Sequence, residues 1–181
     1  MLNVEFKAEL RDLPLGRTIC RAIRATHIAT LRQTDTYYRV AQGRLKKREC
    51  EGEPVEYIYY DRANRSQPKL SLFNVYSERQ ARERYGEQEL PIWLIVRKVR
   101  DLHILENVRI HLDRVEALGD FIEFEAIVSR TQNVAKCHRD LASLRERFGP
   151  SLGEPIAASY SDMLSDAGDI PVEQPKLPPG M

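Results

Sequence analysis

Between residues 109 and 125 the chain reads RIHLDRVEALGDFIEFE, two strand-like runs about a Gly119-Asp120 turn, with acid or base at every second position. In extended backbone alternate side chains share a face. Arg109, His111 and Asp113 therefore fall on the same side of a hairpin as Glu123 and Glu125. Ile110, Leu112, Ile122, Phe124 and Ala126 take the other side. The period recurs along the chain: Glu5, Lys7 and Glu9 share a face, as do Arg44, Lys46 and Arg48, Tyr60 and Arg62, and Lys98 and Arg100. An antiparallel sheet with one wet face explains any single strand. It does not explain the choice of residues, since a solvated face mixes Thr, Ser, Gln, Lys and Glu. Here the third, fourth, sixth and seventh strands offer basic groups, and the first and last offer glutamate.

Eight strand-like segments and three helices are expected. The strands are Val4–Leu10, His27–Val40, RLKKREC, VEYIYYDR, KLSLFNV, Pro91–Leu105 and the two arms of the opening hairpin. Helical spacing is read over about Leu13–Ala25. Ser77-Glu78-Arg79-Gln80 opens a short helix with a capping-box pattern and Gly86 near its end. A third helix spans about Thr131–Phe148, with Val134, Cys137, Leu141, Leu144 and Phe148 as an apolar stripe that packs on the sheet. Short connections make the neighbours antiparallel. Eight such strands can close into a barrel, which removes exposed edges. The expected fold is thus α+β and mainly antiparallel β, an eight-stranded closed barrel with about three flanking helices. One domain is expected over residues 1–165. The stretch 166–181, rich in Pro, Gly and acids, reads as a disordered tail.

Composition narrows the function. The 181 residues carry 28 basic and 27 acidic groups, a formal net charge of +1. Nucleic-acid and membrane-surface binders rely on a positive field, so neither partner is expected. Cys20, Cys50 and Cys137 are scattered and odd in number, which favours free thiols in a reducing compartment. With no signal-like stretch and no run of membrane-spanning length, a cytoplasmic protein is the expectation. A GxxxxGK loop is absent from the sequence. His27, His103 and the Cys137-His138 pair read as packed or surface groups.

The segregated charge suits one ligand type. A polyphosphate needs several cationic donors, and arginine's fork meets its oxygens with two bonds. Carboxylates would repel that ligand unless a hard cation stands between them, and clustered Glu side chains suit magnesium or manganese. Acids and bases make sense together around a metal–triphosphate complex.

These residues resemble the CYTH family, the class IV adenylyl cyclases and thiamine triphosphatases, also called triphosphate tunnel metalloenzymes. Asn3-Val4-Glu5-Phe6-Lys7 matches the opening E-x-E-x-K signature except at its first position. QTDTYYRVAQGRLKKRE is similar to the D-T-Y-F stretch and basic strand that follow. YIYYDR, VRKVR, RIHLDRV and LGDFIEFE resemble the later elements in order, and PIAASYSDML is similar to the close of cyclase-like members.

The resemblance implies a barrel open at both ends, its interior lined by charge. By the same resemblance, Glu5, Glu123 and Glu125 would hold Mg2+ or Mn2+. Lys7, Lys46, Arg48, Arg62, Lys98, Arg100 and Arg109 would grip the triphosphate. Asp113, Lys98 and Arg100 would stand at the reacting centre, Asp113 beside the metal or ordering the bases. Lys69, Arg44 and His111 are further lining candidates, and Lys47 points to the opposite face.

Two reactions share such machinery. In one, the 3′-hydroxyl of ATP attacks the α-phosphorus and pyrophosphate leaves. In the other, water attacks the terminal phosphorus of a triphosphate. The cyclase-like C-terminal half leans toward the class IV adenylyl cyclase group. A triphosphatase is the alternative, and an inactive polyphosphate- or nucleotide-binding module is the third reading. Oligomeric state is open, a homodimer included.

Overall fold

Eight strands close on themselves in the computed structural model, which describes residues 2–61, 67–86, 88 and 90–167. The elements in chain order are β1 (Leu2–Leu10), α1 (Leu13–Ala22), β2 (Thr26–Tyr38), β3 (Arg44–Cys50), β4 (Glu56–Asp61) and β5 (Lys69–Ser77). After α2 (Glu78–Tyr85) come β6 (Ile92–Leu105), β7 (Val108–Val115), β8 (Gly119–Ile127), α3 (Val134–Phe148), β9 (Leu152–Pro155) and α4 (Tyr160–Asp166). Neighbours run β5-β4-β3-β2-β6-β7-β8-β1, all antiparallel. The barrel shuts where β1 pairs back onto β5, from Leu2 opposite Leu72 to Glu5 opposite Lys69. The long strands β2 and β6 pair from Thr26–Ile104 to Tyr38–Ile92 and form its longest wall. This is the antiparallel barrel that the alternation predicts.

The apolar core lies outside the barrel. Val4, Phe6 and Ala8 of β1, Ile110 and Leu112 of β7, and Ile122, Phe124 and Ala126 of β8 are all buried beneath α1 and α3. From α3 come Cys137, Leu141, Leu144 and Phe148, the stripe read from the sequence. Each large buried side chain there contributes about 1.5–3 kcal/mol, so the outer face carries the stability and frees the inner face for ions.

The alternation predicts most segments, and the differences have local causes. The capping box of α2 is present: Gln80 N–H donates to Ser77 Oγ, Ser77 N–H donates to Gln80 Oε1, and Gly86 ends the helix. Helix α1 stops at Ala22, earlier than expected, and Arg24 in the left-handed region (φ 61°) turns the chain toward β2. A ninth strand and a fourth helix add to the expected eight and three. β9 takes the part of β1 that β5 leaves free, pairing at Ala8–Pro155 and Leu10–Leu152. Both extra pieces are too short to show a period of their own.

The end expected to be open is covered. The inward residues beyond the ionic ones are Val96, Val115 and Phe121, and Tyr160, Met163 and Leu164 of α4 pack on that cluster. The tail expected from Asp166 falls, from residue 168, outside the described residues, while Asp166 itself closes α4. All three cysteines are free, and burial pushes the Cys20 thiol up to about 12. Among the described residues no helix is long and apolar enough to cross a membrane.

Candidate active site

Strand alternation turns one row of side chains from each wall into the barrel, where they line a cavity of about 440 Å3. Lys46 and Arg48 of β3, Lys98 and Arg100 of β6, Arg109 and His111 of β7, Glu123 and Glu125 of β8, and Glu5 and Lys7 of β1 all line it. The orientation predicted from periodicity therefore holds for ten ionic side chains on five strands.

One wall is built around Asp35, which sequence reasoning did not single out. It is fully buried on β2, opposite Arg48 in the β2–β3 register. Arg48 donates to both carboxylate oxygens (Nε–Oδ1 2.7 Å, Nη2–Oδ2 2.9 Å), while Lys46 Nζ and Lys98 Nζ donate to Oδ2 at 2.9 and 2.6 Å. Burial alone would raise Asp35, but Arg48, Lys46 and Lys98 hold it well below the usual carboxylate range. The bases respond to the imbalance. Burial, with Arg48, Lys46 and Arg100 close by, outweighs Asp35 and lowers Lys98 to about 7. Burial and Arg48 lower Lys46 to about 8. Three cations share one carboxylate, and the two lysines are held partly ready to lose their protons.

The adjoining wall, which shares β6 with the first, has the reverse balance. Arg100 meets Asp113 with two parallel bonds and reaches Glu123 Oε2 at 3.1 Å. Tyr160 of α4 donates its hydroxyl to Asp113 Oδ2 at 2.9 Å. Asp113 and Glu123 raise Arg100 against the effect of burial. Glu123 also has Lys7 Nζ 3.8 Å from Oε1. Despite burial, Lys7, His111 and Arg100 keep this carboxyl well below its ordinary range. His111 Nδ1 lies 3.5 Å from Glu123 Oε2 and 3.8 Å from Glu125 Oε1. One ligand atom from each of His111, Glu123 and Glu125 falls within 4.8 Å of the others. Glu5 stands opposite Glu125 in the β1–β8 register.

The remaining expected residues are spread more widely. Asp113 lies behind Arg100, fully buried, where it orders the guanidinium, the second of the two places expected for it. Arg109 sits at the rim, its side chain 46% exposed and 3.9 Å from Glu125. Arg44 pairs with Asp162 of α4 at 2.7 Å and ties the covering helix to the barrel. Lys47 pairs with Glu49 on the outer side, as its register predicts. Arg62 and the Lys69 side chain lie outside the described residues. The sequence carried a faint signal for both, Asp35 in the QTDTYY stretch and Tyr160 in PIAASYSDML, but no partner for either. Lys7 Nζ lies 4.1 Å over the Tyr160 ring.

Comparison with known proteins agrees with this geometry. A family model, the CYTH domain, matches residues 1–160. No curated protein sequence matches the chain. Among solved structures, the PH1012 protein of Pyrococcus horikoshii superposes with a TM-score of 0.72 at 20% identity, covering 88% of this chain and 98% of that one. A candidate adenylate cyclase from Vibrio parahaemolyticus gives 0.70 at 17%, covering 91% and 98%. The Hippeastrum protein HpAC1, a candidate adenylyl cyclase described as having a dominant triphosphatase activity, gives 0.60 at 15%, covering 94% and 99%. At these identities the likeness is one of fold.

Proposed function

The chain belongs to the CYTH family, and on that premise we propose that it is a metal-dependent, triphosphate-processing enzyme of class IV adenylyl cyclase type. It would convert ATP to cyclic AMP and pyrophosphate inside the barrel. The observation that carries this reading is the charge surplus at Asp35. Lys46, Arg48 and Lys98 share one carboxylate on the wall of a cavity large enough for a small molecule. A buried cationic surplus costs several kcal/mol per ion unless an anion offsets it, and a triphosphate brings several negative charges in line.

The chain's own groups divide the work. Lys46, Arg48, Lys98 and Arg100 would bind the phosphate chain, with Asp35 and Asp113 holding them in place. Lys7, stacked on Tyr160, would add a point charge at the covered end. In the cyclisation, the 3′-hydroxyl oxygen bonds to the α-phosphorus, the bond to pyrophosphate breaks, and the hydroxyl proton must leave. Lys98, cationic beside the phosphates and donating to Asp35, would neutralise the developing charge, and the hydroxyl proton would pass to solvent. The donor set of His111, Glu123 and Glu125, with Glu5 alongside, fits a divalent ion. Such an ion supplies positive charge to the phosphate oxygens. Leu31, Leu102 and Ile104 also line the cavity. That apolar stretch supports a substrate carrying an organic group over inorganic triphosphate.

A triphosphatase is the second reading. It is favoured by the likeness to HpAC1, a cyclase-like protein with dominant triphosphatase activity. Incubation with ATP, inorganic triphosphate and thiamine triphosphate, each with Mg2+ or Mn2+, separates the readings by product. Cyclic AMP with pyrophosphate supports the cyclase, and orthophosphate release supports the hydrolase. Tight binding without turnover would overturn both and leave a binding module.

A further inference from the structure

We propose that His111 is a nitrogen ligand of the metal centre, and that the site consequently selects a first-row transition ion over magnesium. The inference rests on the triphosphate reading above and adds the chemical identity of the ion. Geometry carries it. His111 Nδ1 stands 3.5 Å from Glu123 Oε2 and 3.8 Å from Glu125 Oε1. A charge-assisted N–H···O bond closes to about 2.7–2.9 Å, so the imidazole makes only a long hydrogen bond to Glu123 and none to Glu125. An ion with bonds of about 2.1 Å spaces its adjacent ligand atoms roughly 3.0 Å apart and its opposed ones roughly 4.2 Å. The His111–Glu123–Glu125 set lies close to that range, all within 4.8 Å.

The surroundings point the same way. His111 is 4% exposed, so its ring is held by the β7 wall and not by solvent. Asn3, two positions before Glu5 on the inward face, is 2% exposed and lines the cavity. Its Oδ1 has no hydrogen-bond partner among the described residues. That amide stands opposite Ile127 in the β1–β8 register, one inward step along from Glu5 and Glu125. Magnesium prefers an all-oxygen octahedron and sheds water reluctantly. Imidazole is a better ligand for first-row transition ions. With Glu5 opposite Glu125 the set is three carboxylates and one imidazole, and the nitrogen donor suits the latter.

Pulsed electron paramagnetic resonance of the full chain with Mn2+ and inorganic triphosphate tests this directly. Directly bound imidazole should give nitrogen modulation on the Mn2+ signal, and 15N-histidine labelling should change its frequencies. His111→Gln should remove the modulation and, by taking away a ligand, weaken Mn2+ binding by about tenfold or more. Magnesium binding should change much less, so the preference for Mn2+ narrows. The wild-type spectrum needs no variant, so misfolding of His111→Gln would not shield the claim. If Mn2+ and triphosphate bind with no nitrogen modulation, the ligand assignment is overturned while the triphosphate reading stands. If neither binds, both fall.

Discussion

The two walls of the cavity use the same materials in opposite proportion. Around Asp35, three cations converge on one carboxylate. Around Arg100, one guanidinium meets Asp113 and Glu123, and a tyrosine hydroxyl completes Asp113. The first wall is short of negative charge and suited to receive an anion. The second is saturated or acidic and suited to hold its own geometry beside a cation. The contrast shows that a buried ion pair can be either a receptor or a brace, depending on which charge is in surplus.

The sharpest way to break the contrast is to neutralise the acid at each wall. Asp35→Asn leaves Lys46, Arg48 and Lys98 facing one another and should cost about 3–5 kcal/mol in urea denaturation. Asp113→Asn leaves Arg100 still paired with Glu123 and should fall at or below the lower end of that range. Inorganic triphosphate should recover much of the Asp35→Asn loss and little of the other. Equal recovery at both walls would end the distinction.

Removing a cation from the surplus wall should do the reverse. Lys46→Met relieves repulsion, so the ligand-free fold should be as stable as wild type or more so. Triphosphate affinity by calorimetry should nevertheless drop by roughly 10- to 150-fold, as for a lost charged hydrogen bond. A large loss of stability with little loss of affinity would make Lys46 a brace.

The pH dependence sharpens the same point. Lys98 is lowered to about 7 in the fold, below the ordinary lysine value of about 10.4. The unfolded chain therefore binds more protons between those values. Ligand-free stability should be lowest below pH 7 and rise as pH increases through that window. A bound anion favours the protonated amine, so triphosphate affinity should be full below about pH 7. It should then fall by up to tenfold per pH unit above it. Affinity that is flat from pH 7 to 9 would mean Lys98 does not face the phosphates.

The smallest effect is expected at the brace. Tyr160→Phe removes the hydroxyl that reaches buried Asp113 but keeps the ring over Lys7. The cost should be about 1–2 kcal/mol, read as a lowered Tm. A loss as large as that of Asp113→Asn would give the hydroxyl a greater share of the brace than two bonds from Arg100 allow.

How far the sequence reached differs between these walls. Lys46, Arg48, Lys98, Arg100, Glu123 and Glu125 were all legible, because a period of two is a local property that needs no knowledge of distant strands. The same period predicted an apolar exterior, which α1 and α3 cover. It could not say which acid would serve which base. Lys98 and Asp35 meet across 63 positions, and Tyr160 and Asp113 across 47, because barrel closure and the docking of α4 bring them together. Asp113 kept its predicted face, and the two bonds from Arg100 with a third from Tyr160, 47 positions away, set it to ordering the guanidinium. Alternation along each strand decided which way charges point. Closure of the strands decided which charges meet, because pairing energy depends on distance in space and not on spacing in the chain.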